Sequence, residues 1–379
     1  MRYSSLGSVD WMVSRFGMGC MRYPKTTLED GGEVTDVDEA VKMIRYAVDH
    51  GVNYFDTAYA YGDSEEVLGK ALLDGYREKV VIATKVPVGD VKCREDYQRY
   101  FDIQTKRLQT DCVDIYLMHC LDRNNWEIAK KTDAIRCLEE MKAQGKIKKF
   151  GFSFHGDYEV FQDIIDAYPW DICMIQLNML DENHQAGVRG LKYADSKGVP
   201  VVIMEPLKGG LLGGNPPDQV KELLAAAQEQ RSLTEWAFRW LYNFKEARVI
   251  LSGVSSMEQL RDNIRIFENA QPGVMNEAET DLIQRIKKVY EGIVKVGCTG
   301  CGYCMPCPAK VNIPEIFKVY NDSSLSPWEL FGKTFYSLVA LHSGGGAANC
   351  QSCGRCERKC PQQLKIMDLL REAHSVMAG

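Results

Sequence analysis

The pattern that most constrains the fold is an alternation of short apolar runs with longer amphipathic stretches between about residues 14 and 270. Several of the runs are almost entirely apolar, as expected for strands that are covered on both faces. The eight predicted strands are Arg15–Cys20, Val52–Asp56, Val80–Lys85, Val113–His119, Ile147–Ser153, Ile172–Asn178, Val199–Glu205 and Arg248–Gly253. In the intervening stretches apolar residues recur at helical spacing. The predicted helices are Asp38–His50, Glu65–Leu73, Asp96–Leu108, Ala134–Gln144, Tyr158–Ala167, Val188–Lys197, Ser232–Asn243 and Met257–Glu268.

Eight strand–helix units over about 255 residues match a (β/α)8 barrel in both number and size. The alternative is a doubly wound open sheet, which predicts a glycine-rich G-x-G-x-x-G turn after the first strand. The turn in this chain, Gly17-Met18-Gly19-Cys20-Met21-Arg22, keeps only the first two of those glycines. The sequence therefore favours an α/β fold built on a closed eight-stranded barrel of the TIM type.

The barrel pattern ends near residue 275, and a helix with its own start signal follows. Asn276 and Glu279 have the spacing of a capping box, and an apolar stripe over 282–293 predicts that this linker helix packs on the barrel. Beyond it lie two short helix patterns, Ile313–Tyr320 and Ile366–Val376. We expect a barrel domain at 1–275, a linker helix at 276–297 and a small, mostly helical domain at 298–379.

Charge and hydropathy exclude several functional classes. The formal net charge is −6, which argues against a nucleic-acid-binding protein because binding to phosphates needs a basic face. No run approaches the roughly 18 apolar residues that a membrane span requires. Residues 1–7 lack the apolar core of a signal peptide, so we expect a cytoplasmic protein without a membrane span.

Fourteen cysteines in a cytoplasmic protein need a role other than disulfide formation. Eight of them form two motifs, Cys298-x2-Cys301-x2-Cys304-x2-Cys307-Pro308 and Cys350-x2-Cys353-x2-Cys356-x3-Cys360-Pro361. In two-cluster ferredoxins, three thiolates at such spacing hold one [4Fe–4S] cluster, and the fourth, followed by proline, ligates the other cluster. The pattern predicts one cluster on Cys298, Cys301, Cys304 and Cys360, and a second on Cys350, Cys353, Cys356 and Cys307.

Structural zinc is the alternative, since it also takes four thiolates, usually as two C-x2-C pairs. Two runs of four cysteines, each closed by Cys-Pro, fit zinc poorly and favour a ferredoxin-like 4Fe–4S domain. The motifs depart from the small bacterial ferredoxins in two ways. Two residues instead of three separate Cys304 from Cys307, and about 42 residues separate the motifs. The longer gap suggests helices between the halves, as in the helical ferredoxin domains of respiratory reductases.

Ionisable residues close three successive strands of the predicted barrel. Asp56 ends the second strand, Lys85 the third and His119 the fourth, and the carboxyl ends of barrel strands are where catalytic groups lie. Each of the three has an ordinary structural explanation when taken alone. Together with Tyr61, on the loop after the second strand, they indicate an acid–base site. We expect the Lys85 ammonium to lower the pKa of Tyr61 from its usual value near 10, and Asp56 to keep Lys85 charged.

At these residues the sequence resembles the aldo/keto reductase family, whose catalytic tetrad consists of Asp, Tyr, Lys and His. The resemblance covers about residues 1–270, and the spacing of five between Asp56 and Tyr61 is that of the family. The motifs that match are Phe55-Asp56-Thr57-Ala58-x-x-Tyr61-Gly62-x-x-Glu65, Gly151-Phe152-Ser153, Gln176-x-Asn178, Pro206-Leu207 and Gly253-x-Ser255-x-x-x-Gln259-x-x-x-Asn263. With its cysteine motifs, the whole chain is similar to the subgroup that has a C-terminal ferredoxin-like domain.

The resemblance implies reversible hydride transfer between NAD(P)H and a small aldehyde or ketone. Tyr61 would be the general acid, and Lys85 and Asp56 would tune its acidity. His119 would orient and polarise the carbonyl group. In the family, the nicotinamide amide is held by residues that match Ser153 and Gln176. The full set of implied nucleotide-binding residues is Met18, Gly19, Ser153, Gln176, Met204, Pro206, Leu207, Gly253, Ser255, Ser256, Gln259 and Asn263.

Three positions depart from the family pattern. Phe154 and His155 follow Ser153 where the family often has Asn, and Met204 stands where many members stack a tyrosine on the nicotinamide. The segment 251–263 lacks the usual pair of cations for a 2′-phosphate, and the helical register places Arg261 away from the face of Gln259. We therefore expect NADH to be tolerated as well as NADPH.

Three functional classes follow from these features. The first is an iron–sulfur aldo/keto reductase with two [4Fe–4S] clusters. The second is an electron-transfer protein in which the clusters serve a redox partner such as a ferredoxin and the barrel is a docking or regulatory nucleotide-binding module. The third is a regulatory subunit, because some relatives in the family bind NADPH mainly as channel subunits. The complete tetrad argues against the third class, and carbonyl-dependent oxidation of NAD(P)H distinguishes the first two.

Overall fold

The computed structural model describes residues 1–7, 11–28, 32–325, 336–337 and 346–378. The chain divides into two compact units. The first contains Met1–Pro206 and Ala237–Met275, and the second contains Leu207–Trp236 and Asn276–Gly379. From the sequence we had placed 207–236 in the barrel domain, whereas its contacts group it with the C-terminal part of the chain.

The first unit is built on a closed parallel barrel, which confirms the predicted fold class. The strands of the described chain are β1 (Tyr3–Ser5), β2 (Met12–Ser14), β3 (Phe16–Gly19), β4 (Lys25–Thr27), β5 (Glu33–Thr35), β6 (Tyr54–Asp56), β7 (Val81–Val86), β8 (Val113–Leu121), β9 (Ile147–Phe154), β10 (Ile172–Gln176), β11 (Val201–Met204) and β12 (Ala247–Gly253). The barrel order is β3-β6-β7-β8-β9-β10-β11-β12, closed by pairing of β12 with β3. All eight predicted strands are present.

Helices follow the barrel strands at the predicted places. The helices of the described chain are α1 (Val37–Asp49), α2 (Ser64–Ala71), α3 (Glu95–Leu108), α4 (Arg123–Lys131), α5 (Ala134–Ala143), α6 (Tyr158–Ala167), α7 (Gly187–Ser196), α8 (Asp218–Ala225), α9 (Leu233–Tyr242), α10 (Met257–Phe267), α11 (Glu277–Ile293), α12 (Ile313–Leu325), α13 (Arg355–Arg358) and α14 (Ile366–Met377). The short helices α4, α8 and α13 and the hairpins β1–β2 and β4–β5 were not predicted from the sequence.

Buried side chains fill the barrel interior. Tyr54, Leu117 and Val249 belong to one apolar cluster, and each is at most 1% exposed. Leu6 and Val13, which flank or lie in the β1–β2 hairpin, join the same cluster. The hairpin therefore seals the barrel at the end where the strands begin, which leaves the carboxyl ends of the strands to hold polar groups.

The second unit has its own apolar core. The predicted capping box at the start of α11 is present, because Asn276 accepts from the N–H of Glu279 and the Glu279 side chain accepts from the N–H of Asn276. Phe317 on α12 and Leu370 on α14 are buried in a cluster against which several of the motif cysteines pack. The two short helices predicted in this part of the chain are present as α12 and α14, and α12 is longer than predicted. Within the described ranges, no helix is long and apolar enough to cross a membrane.

Candidate active site and cysteine-lined cavities

The residues expected to act in chemistry lie at the carboxyl ends of the barrel strands. Asp56 is the last residue of β6, and Lys85 and His119 lie near the ends of β7 and β8. Tyr61 lies on the loop between β6 and α2. Hydrogen bonds fix that loop, because the hydroxyl of Ser64 lies 2.8 Å from that of Thr57 and donates to the carbonyl of Cys20.

Lys85 is the centre of the constellation. Its Nζ donates to Asp56 Oδ1 at 2.5 Å, to the carbonyl of Thr57 at 2.7 Å and to the Tyr61 hydroxyl at 3.3 Å. The lysine side chain is 1% exposed and that of Asp56 is 5% exposed. One ammonium group therefore links a buried carboxylate to the phenol that is expected to act as the acid.

The Lys85 ammonium stays protonated in this environment. Burial alone would lower the pKa of Lys85, but Asp56 and Tyr61 together raise it to about 12. Burial raises the pKa of Asp56, and Lys85 opposes that rise. The expectation that Asp56 keeps the lysine charged agrees with this geometry.

The predicted pKa of Tyr61 is wrong in direction. Lys85 does lower it, as expected, but burial of the phenol has the larger effect and raises the pKa of Tyr61 to about 12. The sequence identified the neighbouring charge and could not weigh it against the loss of solvent. The phenol is consequently protonated throughout the neutral range.

The histidine of the tetrad, His119, and a second histidine, His155, are both buried. The ring centroids of Tyr61 and His119 are 5.6 Å apart, and the rings meet edge to face at 80°. Burial lowers the pKa of His119 well below 6.5, and the charges of Lys85 and His155 lower it further. His155, at the departure from the family pattern, is also buried, which lowers its pKa to about 4. Both imidazoles are therefore neutral near pH 7.

A buried network behind Lys85 was not foreseen as part of the site. Glu65 Oε1 accepts from Thr84 and from Gln104, each at 2.6 Å, and Arg107 pairs with Glu65 Oε2 at 3.2 Å. The Gln104 amide also donates to the carbonyl of Lys85 at 3.1 Å. The network fixes the backbone of β7 at Lys85. Its sequence signal was Glu65 in the family motif, but nothing along the chain paired it with Gln104.

Ser153 and Gln176 present free hydrogen-bonding capacity on neighbouring strands. The Ser153 hydroxyl accepts from the N–H of Cys120 at 2.9 Å, which leaves its own proton available to donate. Gln176 donates to Asp181 at 3.1 Å, and its buried Oε1 has no hydrogen-bond partner among the described residues. An orphaned buried acceptor costs free energy unless a ligand satisfies it, so this pair fits the amide of a nicotinamide. Met204 pairs with Gln176 in register at the end of β11.

The remaining expected nucleotide contacts lie in several places. Gly19 and Gly253 are in register at the ends of β3 and β12, beside Met18. Ser256 caps α10, and Gln259 Oε1 accepts from the N–H of Ser255 at 3.0 Å.

The last expected contacts lie farther along the chain or at its unit boundary. Asn263 is buried and donates to Ser252 at 3.0 Å. Pro206 is the last residue of one segment of the first unit, and Leu207 begins the second unit.

Two arginines near the β12 loop differ in their placement. The guanidinium of Arg261 lies 5.4 Å from the centre of the Tyr46 ring, so it is turned to α1 as the helical register predicted. Arg22, which the sequence analysis did not select, lies against Gly253. A side-chain carbon at Gly253 would lie 3.5 Å from Arg22 Cβ and 3.7 Å from its Cδ. In the sequence, Arg22 is distinguished only by its position shortly after the first barrel strand. It precedes Gly253 by 231 residues, so no local pattern connects the two.

Cysteines line two cavities in the second unit. The first cavity is lined by Cys298, Cys301, Cys304 and Cys360, together with apolar side chains such as Phe317. The second cavity is lined by Cys307, Cys350, Cys353 and Cys356, and Cys304 also reaches it. Each cavity thus collects three cysteines of one motif and the last cysteine of the other, a donor set that fits two [4Fe–4S] clusters. In the described part of the chain, no three His, Cys, Asp or Glu side chains converge on the position of a single metal ion.

Comparison with known proteins identifies the family. The model of the aldo/keto reductase family matches residues 15–283, more than half of the chain. The chain belongs to the aldo/keto reductase family. This aldo/keto reductase also matches the model of a 4Fe–4S dicluster domain, over residues 297–366. It is therefore an oxidoreductase-family barrel followed by an iron–sulfur domain.

Individual relatives agree with the family match. The aldo/keto reductase is 30% identical over 318 residues to the uncharacterized oxidoreductase YrpG of Bacillus subtilis, which covers 71% of this chain and 91% of YrpG. It is 25% identical over 342 residues to the NADH-specific methylglyoxal reductase of Escherichia coli, which covers 77% and 100% of the two chains. The holo form of aldo-keto reductase AKR11C1 from Bacillus halodurans superposes with a TM-score of 0.63 at 26% identity, over 76% of this chain and 96% of that one.

Proposed function

We propose that the protein reduces an aldehyde or ketone to an alcohol, reversibly, with NAD(P)H, and that it holds two [4Fe–4S] clusters in its C-terminal domain. The main support for a reductase is that the Lys85 ammonium donates hydrogen bonds both to Asp56 and to Tyr61 at the carboxyl ends of the barrel strands. The likeness to a methylglyoxal reductase supports a small carbonyl substrate. We also propose the domain bounds 1–275, 276–297 and 298–379.

Tyr61 is the proton donor in this proposal. With a pKa of about 12 the phenol holds its proton at neutral pH, and it gives the proton to the oxygen of the forming alkoxide. The phenolate left behind lies next to the Lys85 ammonium, at 3.3 Å in the resting arrangement. Lys85 stabilises that anion, and Asp56 holds the ammonium in place.

His119 orients the carbonyl group of the substrate. Because its pKa is well below 6.5, the imidazole is neutral and offers one N–H to the carbonyl oxygen without adding a second cation next to Lys85. The centroids of the His119 and Tyr61 rings are 5.6 Å apart, which supports a site where both groups contact one substrate oxygen. The two contacts position the oxygen for protonation.

Ser153 and Gln176 are proposed to hold the nicotinamide amide, with the Ser153 hydroxyl donating and the buried Gln176 Oε1 accepting. Bound NAD(P)H supplies the hydride. The ends of β3 and β12 and the start of α10 would hold the remainder of the dinucleotide through Gly19, Gly253 and Ser256. Backbone N–H groups at a helix start favour phosphate oxygens.

The reductase proposal is tested by oxidation of NADH and NADPH in the presence of small aldehydes and ketones, followed at 340 nm. We expect oxidation that depends on the carbonyl compound in protein purified without air. Tight nucleotide binding without turnover of any carbonyl compound would reject it.

A second candidate function is electron transfer by the clusters. It is favoured by one observation, the two cavities that each collect four cysteines from both motifs. Bound clusters supply one-electron oxidation and reduction. Iron and sulfide analysis, followed by electron paramagnetic resonance of the dithionite-reduced protein, tests it. We expect about eight irons and about eight sulfides per chain, the content of two [4Fe–4S] clusters.

A further inference from the structure

Exposed cations lie in the chain segments that line the second cavity. Lys310 follows Cys307 in a tight turn, in which its N–H donates to the Cys307 carbonyl at 2.9 Å. Arg355 and Arg358 lie within the second cysteine motif, and the N–H of Lys359 donates to the carbonyl of Cys356, which lines the second cavity, at 3.3 Å. All four side chains are exposed, and none takes part in an ion pair within the described part of the chain. We call these four residues the basic surface.

The arginines of the basic surface lie close to the cavity itself. Arg355 lines it, and the Arg358 guanidinium lies over Gly354, another lining residue, where a side-chain carbon would be 3.2 Å away. The nearby carboxylate of Glu357 is partly buried and accepts from the N–H of Met367 at 2.9 Å. Glu357 is the single acid inside the second motif, and the four cations of the basic surface outnumber it.

Two other exposed cations of the same unit are paired with acids. Arg371 on α14 pairs with Asp368, and Lys318 on α12 lies 3.8 Å from Glu315. The first cavity has no charged residue in its lining. The chain as a whole has a net charge of −6, whereas Lys310, Arg355 and Arg358 place positive charge close to the lining of the second cavity.

The exposure of the cysteines distinguishes the same cavity. Cys353 is exposed, whereas all four cysteines of the first cavity are partly buried. An exposed cluster ligand lets a partner protein approach the cluster. A nearby positive charge stabilises the reduced state of the cluster, so both features favour electron entry. Redox encounters are small and transient, and complementary charge sets their rate more than contact area does.

We propose that the basic surface docks an acidic, one-electron carrier protein, and that the second cavity is where electrons enter or leave. The proposal rests on the proposed ligation of clusters by the two cavities. Cys307, Cys350, Cys353 and Cys356 would hold a cluster there, and that cluster would supply the acceptor for one electron from the reduced carrier. The carrier is oxidised by one electron and the cluster is reduced by one, and no covalent bond forms or breaks.

The test measures binding of oxidised flavodoxin, an acidic carrier, by calorimetry to the full-length, cluster-containing protein. The variant Lys310→Glu/Lys359→Glu reverses two charges of the basic surface without changing a cavity-lining residue. The matched control, Lys106→Glu/Lys131→Glu, makes the same charge change at exposed, unpaired lysines of the first unit. Iron and sulfide contents and the cluster spectrum are measured first in all three proteins.

We expect the basic-surface variant to weaken flavodoxin binding by about tenfold or more and the control variant by less than about twofold. Raising the ionic strength from about 0.05 M to 0.5 M should abolish the difference, because salt screens surface charges. Electron transfer from reduced flavodoxin should slow in the same order in stopped-flow experiments.

Three outcomes would overturn the proposal. Equal flavodoxin affinity in the wild type and the Lys310→Glu/Lys359→Glu variant, with clusters intact in both, rejects the docking surface and leaves the cluster ligation standing. Single-stranded DNA that binds more tightly than flavodoxin at about 0.15 M salt assigns the surface to nucleic acid instead. Wild-type protein purified without air and lacking iron and sulfide rejects the cluster ligation and the docking surface together.

Discussion

The Lys85 ammonium and the burial of the phenol have opposing effects on the pKa of Tyr61. Lys85 favours the phenolate form of Tyr61, yet the apolar surroundings that make the Lys85–Asp56 pair strong also disfavour that anion. The balance leaves Tyr61 protonated, as a donor for carbonyl reduction must be. Lys85 is therefore expected to matter most after the proton has left, when the phenolate needs a partner.

Replacing the phenol tests the assignment of the acid. Tyr61→Phe should lower carbonyl reduction by roughly 10²–10⁴-fold, because it removes the proton donor. Nucleotide binding, followed by fluorescence titration, should stay within about twofold of wild type, since the Ser153 and Gln176 groups are unchanged. Tyr59→Phe is the matched control on the same loop, where Tyr59 packs edge to face on Tyr100. Activity that survives in Tyr61→Phe would remove Tyr61 from the mechanism.

The pH profile reports on Lys85. Reduction needs protonated Tyr61, so its rate should be flat from pH 6 to 9, well below the Tyr61 pKa of about 12. Alcohol oxidation needs the phenolate and should rise about tenfold per pH unit over the same range. Lys85→Met raises the pKa of Tyr61 further, so oxidation should fall more than reduction.

A buried lysine elsewhere in the barrel provides the control for that profile. Lys149 is 3% exposed and donates to the carbonyl of Leu6 at the opposite end of the strands. Lys149→Met should change stability and leave both pH profiles in place. Identical losses of oxidation and reduction in Lys85→Met would argue that Lys85 only maintains the fold.

Cofactor choice depends on cations near the β12 loop. Because Arg261 is turned to Tyr46, we expect the dissociation constants of NADH and NADPH to lie within about tenfold of each other. Arg22→Gln and, as a control, Arg261→Gln should be compared by fluorescence titration with both nucleotides. A strong preference of the wild type for NADPH that disappears in Arg22→Gln would instead show that Arg22 binds the 2′-phosphate.

At the scale of elements, the turn after β11 makes a steric prediction. Gly209 has a φ of 68°, and a side-chain carbon there would overlap the carbonyl oxygen of Thr299, in the first cysteine motif. Gly210 also has a positive φ, 105°, but a side-chain carbon there meets no atom within 4 Å. Gly209→Ala should therefore destabilise the second unit by roughly 1–3 kcal/mol more than Gly210→Ala.

Thermal unfolding followed by the iron–sulfur absorbance measures that difference. Both positions have a positive φ, and the 105° of Gly210 lies farther from the left-handed region that alanine can adopt, so a lower melting temperature for Gly209→Ala is attributable to the overlap with Thr299. Equal melting temperatures for the two variants would contradict the close approach of the turn to Thr299.

Strands and helices with a long, regular pattern of apolar residues were predictable from the sequence, and short helices with few buried residues were not. The barrel strands are buried on both faces, so their apolar runs are visible in the sequence, with end errors of one or two residues, as for β11. The helices α4 and α8 are short, and Val220 is the one buried residue of α8. In α4 only Trp126 and Ala129 are buried, which is too short a pattern to recognise.

The same distinction applies to the site. The grouping of Asp56, Lys85 and His119 was predictable because they lie at or near the ends of three successive strands, with Tyr61 on the loop after the first of these strands, and closing a barrel brings strand ends together. The approach of Arg22 to Gly253 and the bond from Gln104 to Glu65 depend on the packing of loops and helices that no local pattern records. The pKa of Tyr61 depends on burial, which the sequence does not give residue by residue.

For the molecule as a whole, the two kinds of chemistry differ in electron count. A nicotinamide delivers two electrons as hydride, whereas a [4Fe–4S] cluster ordinarily passes one, so direct exchange needs a converter such as flavin. The tetrad reaction requires no cluster. We therefore expect the proposed clusters to contribute to the folding of a domain with a small core. We expect any electron transfer by the clusters to involve a separate carrier protein.

Cys301→Ser separates the two roles at the scale of the domains. Cluster formation contributes folding free energy to residues 298–379, so loss of one ligand in the first cavity should unfold that domain. Iron content and limited proteolysis measure the loss. NAD(P)H binding by the barrel should remain measurable, because Asp56, Ser153 and Gln176 belong to the other unit.

The control for this variant is Cys93→Ser, which changes an exposed cysteine of the barrel unit outside both motifs. It should keep its full iron content and resist proteolysis like the wild type, since its thiol holds no cluster. If Cys301→Ser loses nucleotide binding altogether while Cys93→Ser keeps it, the two domains do not fold independently and the boundary near residue 297 misplaces the unit of folding. If Cys301→Ser keeps its iron and its protease resistance, Cys301 is not a ligand, and the ligation by the first cavity is wrong even though the barrel chemistry stands.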